Sequence, residues 1–303
     1  MVVYLGFDVG GSSIKYALID EEGTFLQKGH FQTPDDLDSF YAGLKQAKES
    51  LPASQEIAGA CFSLPGAVDE ASGVIGGSSA LDYIHGFDIR SGLEKALQLP
   101  VSMENDANCA ALGEIWVGAG RGHRDAAFLV IGTGVGGALV HDRKIIHGPH
   151  LHGGEFGYMI MTPEYEILSD VGSTGGLVRR LAKIKEIPET DLDGLKVFAL
   201  SEQGDTDAKR VIDEMYEYLA RAIYDIQYIY DPEIFLLGGA ISTREDFIPC
   251  IETHLQHILQ QVGVAHVTPK LCGCEHGNDA NLLGAVFNFK KKNPGIAKNS
   301  LSI

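Results

Sequence analysis

Apolar and polar positions along the chain follow two periods, and the places where one gives way to the other mark the elements. Near the start, apolar residues lead into Asp8, then Gly10, Gly11, Ser12 and Ser13 interrupt them, and alternation resumes at Ile14, Tyr16 and Leu18. This predicts two strands joined by a Gly-Ser turn. A third strand over residues 24–31 follows a turn at Glu22-Gly23. Helical spacing at Leu37, Phe40, Leu44 and Ala47 predicts a helix over 37–50, with Pro52 beyond its end. The apolar run 57–64 predicts a buried strand ending at Pro65-Gly66, followed by a loop-rich stretch through Gly76-Gly77-Ser78-Ser79. Loops of that length are usually functional. Residues 101–114 switch from strand to an Ala-rich helix at Asn105-Asp106.

In the second half, residues 127–131 read as a strand, Gly132 to Gly137 as a glycine turn, and 138–146 as a further strand. Laying Ala17-Leu18-Ile19 over Ala138-Leu139-Val140 sets Gly11-Ser12 on Gly132-Thr133. Strand, turn and strand recur in one order, an internal duplication whose two turns suit the two sides of one nucleotide. Ser173 is expected to cap a helix carrying Leu177, Leu181 and Ile184. Val211, Met215, Leu219, Ile223 and Ile226 mark a long amphipathic helix stopped by Asp231-Pro232. A buried strand over 234–240 ends in Gly238-Gly239. Asn278-Asp279-Ala280-Asn281 opens a last helix, and Lys290 to Lys292 complement its C-terminus before a tail.

The 303 residues suit two domains, and 45% hydrophobic content with a mean hydropathy of +0.01 fits a globular chain with a full core. A formal charge of −17 argues against a nucleic-acid surface, which rewards clustered Lys and Arg. Five irregularly spaced cysteines fit a reducing compartment. No apolar run is long enough to span a bilayer and MVVYLGF lacks a basic leader region, so the expected location is the cytoplasm, with neither membrane nor nucleic acid as partner.

Gly10 and Gly11 leave room for backbone N–H groups to approach an anion, and Ser12 and Ser13 add donors. A carboxylate beside a phosphate cradle repels it unless a cation intervenes, so Asp8 points to Mg²⁺ with a nucleotide, bound directly or through water. An ordinary hairpin with Asp8 in its turn accounts for the same residues. Asn105 and Asp106 suit helix capping, but two polar residues at a strand-to-helix switch also suit a site, with Asp106 accepting a proton from a substrate hydroxyl and Asn105 holding its neighbours. Gly132, Gly134 and Gly137 satisfy G-x-G-x-x-G, yet strand rather than helix follows, which excludes a dinucleotide fingerprint. No G-x-x-x-x-G-K-[ST] run occurs. Glu155, alone in a Gly-rich loop, reads as solvated. Gly238-Gly239 suits either a flat base lying on bare backbone or a plain turn. Cys272, Cys274 and His276 crowd into five residues without the spaced pairs of a structural zinc site, and are not read as one.

The ordered motifs FDVGGSSIK, LPGAVD, ENDANCAALGE, IGTGVGG, HGGEFGY, LLGGAIS and NDANLLGAV resemble the ROK family (repressor, open reading frame, kinase) of the actin-like ATPase superfamily, over nearly the whole chain. The resemblance implies an α/β, two-domain, actin-like (ribonuclease H-like) fold. Each domain would hold a mixed β-sheet flanked by helices, with the active-site cleft between. Residues 1–117 and 279–303 would form the first domain, the final helix returning to it, and residues 118–278 the second. The stretch 118–122 is the expected hinge. It also implies an ATP-dependent sugar kinase. Asp8 would position Mg²⁺, while Gly10, Gly11, Ser12 and Lys15 line the first phosphate loop and Gly132, Thr133 and Gly134 the second. Gly238 and Gly239 would back the adenosine. Asp106 would be the catalytic base, with Gly66, Ser79, Asn105 and Glu155 holding sugar hydroxyls. The family also makes a homodimer the default.

Departures from the family pattern bear on the substrate. Tyr158 stands where many members have a His, and no cysteine cluster lies between Tyr158 and Ser173, so no zinc is expected. Ser169, with Asp170 beside it, falls where a Glu often holds the anomeric side of the sugar. Losing both groups clears space at C1, which points to a β-glucoside kinase of the cellobiose type making a 6-phosphate, with glucokinase or N-acetylmannosamine kinase as runner-up. A repressor of the family would carry a helix-turn-helix domain ahead of the first hairpin, and Asp8 comes too early for one. A sugar-sensing regulator without a DNA-binding domain remains the alternative from another class.

Overall fold

The computed structural model describes residues 2–52 and 56–295. The chain forms two compact units. One comprises the described residues up to Arg121, the segment His147–His152 and the described residues from Asn278 onward; the other comprises Gly122–Ile146 and Gly153–Gly277. Beyond the residues expected of the first domain, this unit holds 118–121, Asn278 and a short segment, 147–152, all of which the sequence reading assigned to the second. The expected tail beyond Gly295 lies outside the described residues.

In the first unit, the opening alternation becomes β1 (Val2–Val9) and β2 (Ser13–Asp20), antiparallel with Asp8 opposite Lys15, and β3 (Phe25–Gln32) pairs outside β2. Helix α1 (Leu37–Glu49) starts where the Asp36 carboxylate accepts from the Ser39 N–H at 2.9 Å, and it buries Phe40, Leu44 and Ala47. After β4 (Glu56–Leu64), the stretch read as loop holds more structure: a hairpin of β5 (Ala67–Asp69) and β6 (Val74–Gly76), then α2 (Ile89–Leu97), capped by Asp88. Ile89, Leu93 and Leu97 carried the helical signal, which the flanking glycines obscured. β7 (Val101–Asn105) runs parallel to β4 and completes the order β3-β2-β1-β4-β7.

Because side chains alternate along a strand, β1 feeds two cores. Val3, Leu5, Phe7 and Val9 pack with Phe40, Phe62 and Leu93 on one face. Val2 and Tyr4 pack on the other with Cys109 of α3 (Asp106–Trp116) and with Leu282, Leu283, Val286 and Phe289 of the closing helix, Ala280–Lys292. α3 and the closing helix meet where neither has a side chain: a Cβ on Gly113 would overlap the Ala280 carbonyl, and one on Gly284 the Cys109 carbonyl.

The second unit is built on β8 (Ala126–Ile131) and β9 (Val135–His141). The strand expected to run on to 146 is broken by Asp142 and Arg143, at φ 48° and 60°, and returns as β10 (Lys144–Ile145). There follow α4 (Leu168–Val171), α5 (Thr174–Lys185), α6 (Gly194–Glu202), α7 (Thr206–Tyr230), β11 (Ile234–Gly238), α8 (Phe247–Val262) and β12 (Leu271–Gly273). Strand order is β10-β9-β8-β11-β12, an antiparallel three followed by two parallel strands, as in the first unit. The duplication read from the sequence is therefore structural. Its turns differ by one residue: Val9 pairs with Ile14, but Ile131 pairs with Val135. Among the described residues no helix is long and apolar enough to cross a membrane.

Candidate active site

In the first unit, the β1–β2 turn is fixed by the Gly10 N–H donating to the Ser13 carbonyl at 3.1 Å. Thr33 pins it from outside, its hydroxyl donating to the Gly10 carbonyl at 2.6 Å and its N–H to the Ser12 carbonyl at 3.2 Å. Asp8 ends β1 just before this turn. Its side chain, 15% exposed, accepts from the Ser63 hydroxyl at 3.0 Å and from the Lys15 ammonium at 3.4 Å. Asn281 of the closing helix donates to Ser63 Oγ at 3.2 Å and to the Asp106 carbonyl at 3.3 Å, tying the Asp8 carboxylate to the start of α3.

The two readings of Asn105 and Asp106 separate here. Asn105 is the cap: its Oδ1 accepts from the Asn108 N–H at 3.2 Å and its Nδ2 donates to the Gly66 carbonyl at 3.0 Å. Asp106 is the first helical residue and is exposed, its Oδ1 accepting from the Ala107 N–H at 2.8 Å. Desolvation by the surrounding protein pushes its carboxyl above the ordinary aspartate value, helped by the Asp8 charge and opposed chiefly by the Ala107 N–H. An accessible carboxylate of raised basicity is suited to taking a proton from a hydroxyl.

Supporting residues that the sequence reading missed surround this pair. Glu104, 2% exposed, accepts at one oxygen from the Asn105 N–H (2.9 Å) and Asn108 Nδ2 (3.0 Å), and at the other pairs with His147 Nε2 at 2.9 Å. That pair anchors the segment His147–His152 in this unit. Ser79 Oγ lies 2.7 Å from His85 Nε2 and accepts from the Leu81 N–H at 3.1 Å. The identical Asn-Asp-Ala-Asn runs at 105–108 and 278–281, each opening a helix, were the available signal for Asn281. Nothing in the spacing pointed to His147 or His85.

In the second unit, the turn Gly132-Thr133-Gly134 is strapped to the start of α5. The Thr174 hydroxyl and N–H donate to the Gly132 carbonyl at 2.5 and 3.0 Å, and the Ser173 hydroxyl lies 2.6 Å from the Ser169 carbonyl and 3.0 Å from the Thr133 carbonyl while accepting from the Gly176 N–H at 2.9 Å. A glycine turn held at a helix N-terminus is suited to anions. Gly239, at φ 95°, has no room for a Cβ beside the Ile131 carbonyl, and a 3-10 turn, Ala240–Thr243, follows it. Glu155 precedes the 3-10 turn Phe156–Tyr158, its carbonyl accepting from the Tyr158 N–H at 3.2 Å. Ser169 Oγ faces backbone, 3.0 Å from the Val135 N–H and 3.3 Å from the Val135 carbonyl. Residues 159–168 form a small backbone ladder in which Ile160 bridges Ile167.

Mg²⁺ with a nucleotide needs few protein ligands, because phosphates and waters fill most of its shell. The single carboxylate of Asp8 beside Lys15 and a glycine turn fits that demand. Among the described residues no three His, Cys, Asp or Glu side chains gather as a metal-holding group.

Two sheets of one topology, each with a glycine turn after its first strand, define an α/β protein of the actin-like ATPase fold. The chain belongs to the ROK family, whose model matches residues 4–292. It is similar to a ROK family protein from Streptococcus pneumoniae solved in complex with sucrose, with a TM-score of 0.89 and 36% identity, covering 96% of this chain and 99% of that one. It is also 32% identical to a beta-glucoside kinase of Klebsiella pneumoniae, over 94% of this chain and 95% of the relative. A beta-glucoside kinase of Listeria monocytogenes is 31% identical over 93% and 96%.

Proposed function

We propose that this protein is an ATP-dependent sugar kinase that phosphorylates the 6-hydroxyl of the glucose unit of a β-glucoside such as cellobiose. The observation that carries the kinase reading is Asp106: an exposed carboxylate at a helix start, tied through Asn281 and Ser63 to the Asp8 carboxylate beside the first glycine turn. The β-glucoside reading is supported by Ser169, whose short side chain is engaged with Val135 backbone, and by the two beta-glucoside kinase relatives.

Asn105, through the second N–H of its amide, and the Gly66 backbone orient the sugar, with Ser79 and Glu155 holding further hydroxyls. Asp106 accepts the proton of the 6-hydroxyl as that oxygen forms its bond to the γ-phosphorus. The bond from that phosphorus to the β-phosphate bridging oxygen breaks, and its electron pair leaves with ADP. Lys15 and the N–H groups of the two glycine turns meet phosphate charge, and Gly238 and Gly239 offer bare backbone to the adenosine. Asp8 would hold Mg²⁺, directly or through water; when bound, the ion neutralises charge on the phosphates. Such transfer is mostly positioning and charge neutralisation, so a well-placed aspartate suffices as base.

The test is ADP release with MgATP against cellobiose, simple β-glucosides, glucose and N-acetylmannosamine, for wild type and Asp106→Asn. Cellobiose should be preferred, and the variant should bind sugar but turn over at least about a hundredfold more slowly. Preference for glucose sinks the β-glucoside reading. Unchanged turnover in Asp106→Asn removes that residue from the mechanism, and no ADP release with any sugar favours the regulator.

A further inference from the structure

We infer that His85, a residue no motif singles out, is the positioning residue that fixes which way the Ser79 hydroxyl points, making it a hydrogen-bond donor to the sugar. The inference rests on the sugar-site reading of Ser79 given above and deepens it.

Hydrogen-bond accounting around Ser79 carries the step. Ser79 Oγ already accepts from the Leu81 N–H at 3.1 Å, and His85 Nε2 lies 2.7 Å away. Only two arrangements of protons satisfy that short contact. If Ser79 donates to Nε2, the imidazole proton sits on Nδ1, which is buried without any partner. If Nε2–H donates to Ser79, Nδ1 carries only a lone pair, and the serine proton is left to point elsewhere. Burying an unpaired N–H is rarer in proteins than burying an under-used acceptor, and it costs the donor's full desolvation. The second arrangement is therefore the one the structure favours. Both acceptor positions on Ser79 Oγ are then filled from the protein, so its remaining capacity is one O–H donor.

The imidazole is also held in place. Gly66 adopts φ 97°, and a Cβ there would sit 2.9 Å from His85 Cε1, so the ring packs on the same bare backbone whose carbonyl accepts from Asn105 Nδ2. The His85 N–H is itself tied to the Asp82 carbonyl at 3.3 Å, and the Gly86 N–H to the Ile75 carbonyl at 3.0 Å. One side chain thus touches two of the four residues assigned to the sugar and, through Gly66, meets a third. A ligand hydroxyl facing Ser79 must accept a hydrogen bond, which selects for a sugar oxygen free to do so.

Sugar affinity is measured by titration calorimetry without nucleotide, using cellobiose, glucose and N-acetylmannosamine as probes. His85→Gln keeps an N–H where Nε2 stands, whereas His85→Met keeps bulk and loses the donor. His85→Met should weaken the tightest-binding sugar about tenfold, the usual worth of one hydrogen bond. His85→Gln should recover most of that loss, and Ser79→Ala should add little in the His85→Met background. Equal weakening by Met and Gln, wild-type affinity in both, or no binding of any probe by the wild type overturns the inference. Sugar binding without ADP release instead overturns the kinase reading alone.

Discussion

Replacing His147 by alanine should unsettle the N-terminal end of α3, where Asp106 stands, without touching it. The Glu104 side chain is 2% exposed and, besides two N–H donors, its partner is His147 Nε2 at 2.9 Å. Removing one member of a fully buried ion pair costs about 3–5 kcal/mol, and a hydrogen bond to a charged group contributes about 1.5–3 kcal/mol. The His147 side chain is 34% exposed, so water takes over part of its role and the lower end applies, about 2 kcal/mol. For a unit of this size that is a fall in Tm of roughly 4–8 °C. The pH dependence gives a sharper signature. The hydrogen bond with Glu104 holds His147 above its ordinary value of 6.5, against the opposing effect of burial. Its contribution is therefore whole below about pH 6.5 and is lost as pH rises through the higher folded value. Calorimetric Tm of wild type should fall as pH rises above about 6.5, while His147→Ala, already lower, should stay flat over the same rise. A Glu104→Gln, His147→Ala cycle isolates the pair. Parallel pH profiles for wild type and His147→Ala would refute the reasoning.

Two further outcomes follow from the sites. Ser173→Ala removes a helix cap and the hydroxyl that sits between the Ser169 and Thr133 carbonyls, so stability should drop by about 1 kcal/mol and KM for ATP should rise while KM for sugar holds; equal changes in both constants would argue against a nucleotide role for that turn. Asp106→Asn should raise Tm at pH 7: desolvation lifts the Asp106 pKa, so the native state holds the proton more tightly and loses stability as pH rises through that range. A Tm for Asp106→Asn at pH 7 that is equal to or below that of the wild type would contradict that burden.

Strong periodic segments were legible because burial imposes their pattern. The hairpin of β1 and β2, α1, α5 and α7 all stand where apolar spacing and caps put them. α2 was hidden because only three of its positions are buried and Gly86 and Gly92 suggest loop. The break between β9 and β10 was hidden because Asp142 and Arg143 adopt positive φ without the glycine that usually announces it. Motif residues such as Asp8, Asn105 and Asp106 were visible as polar interruptions of apolar runs. Glu104 and His147 were not, since partners far apart in sequence leave no spacing to read and these two meet across 43 residues, and His85, six residues from Ser79, stands in no motif.

The closing helix has a consequence for how the protein is made. Tyr4, Ile19 and Cys61 lie beneath side chains that leave the ribosome only after the whole second unit has done so. At about 5–20 residues per second, the roughly 160 residues between Trp116 and Ala280 take about 8–30 s to synthesise. During that interval one face of the first sheet has α3 but lacks the closing helix, and a chain stalled before Ala280 should be cut there by protease while the finished chain resists. The nascent protein therefore waits with β1, β2 and β4 only partly covered, and a chaperone has that interval in which to act on them.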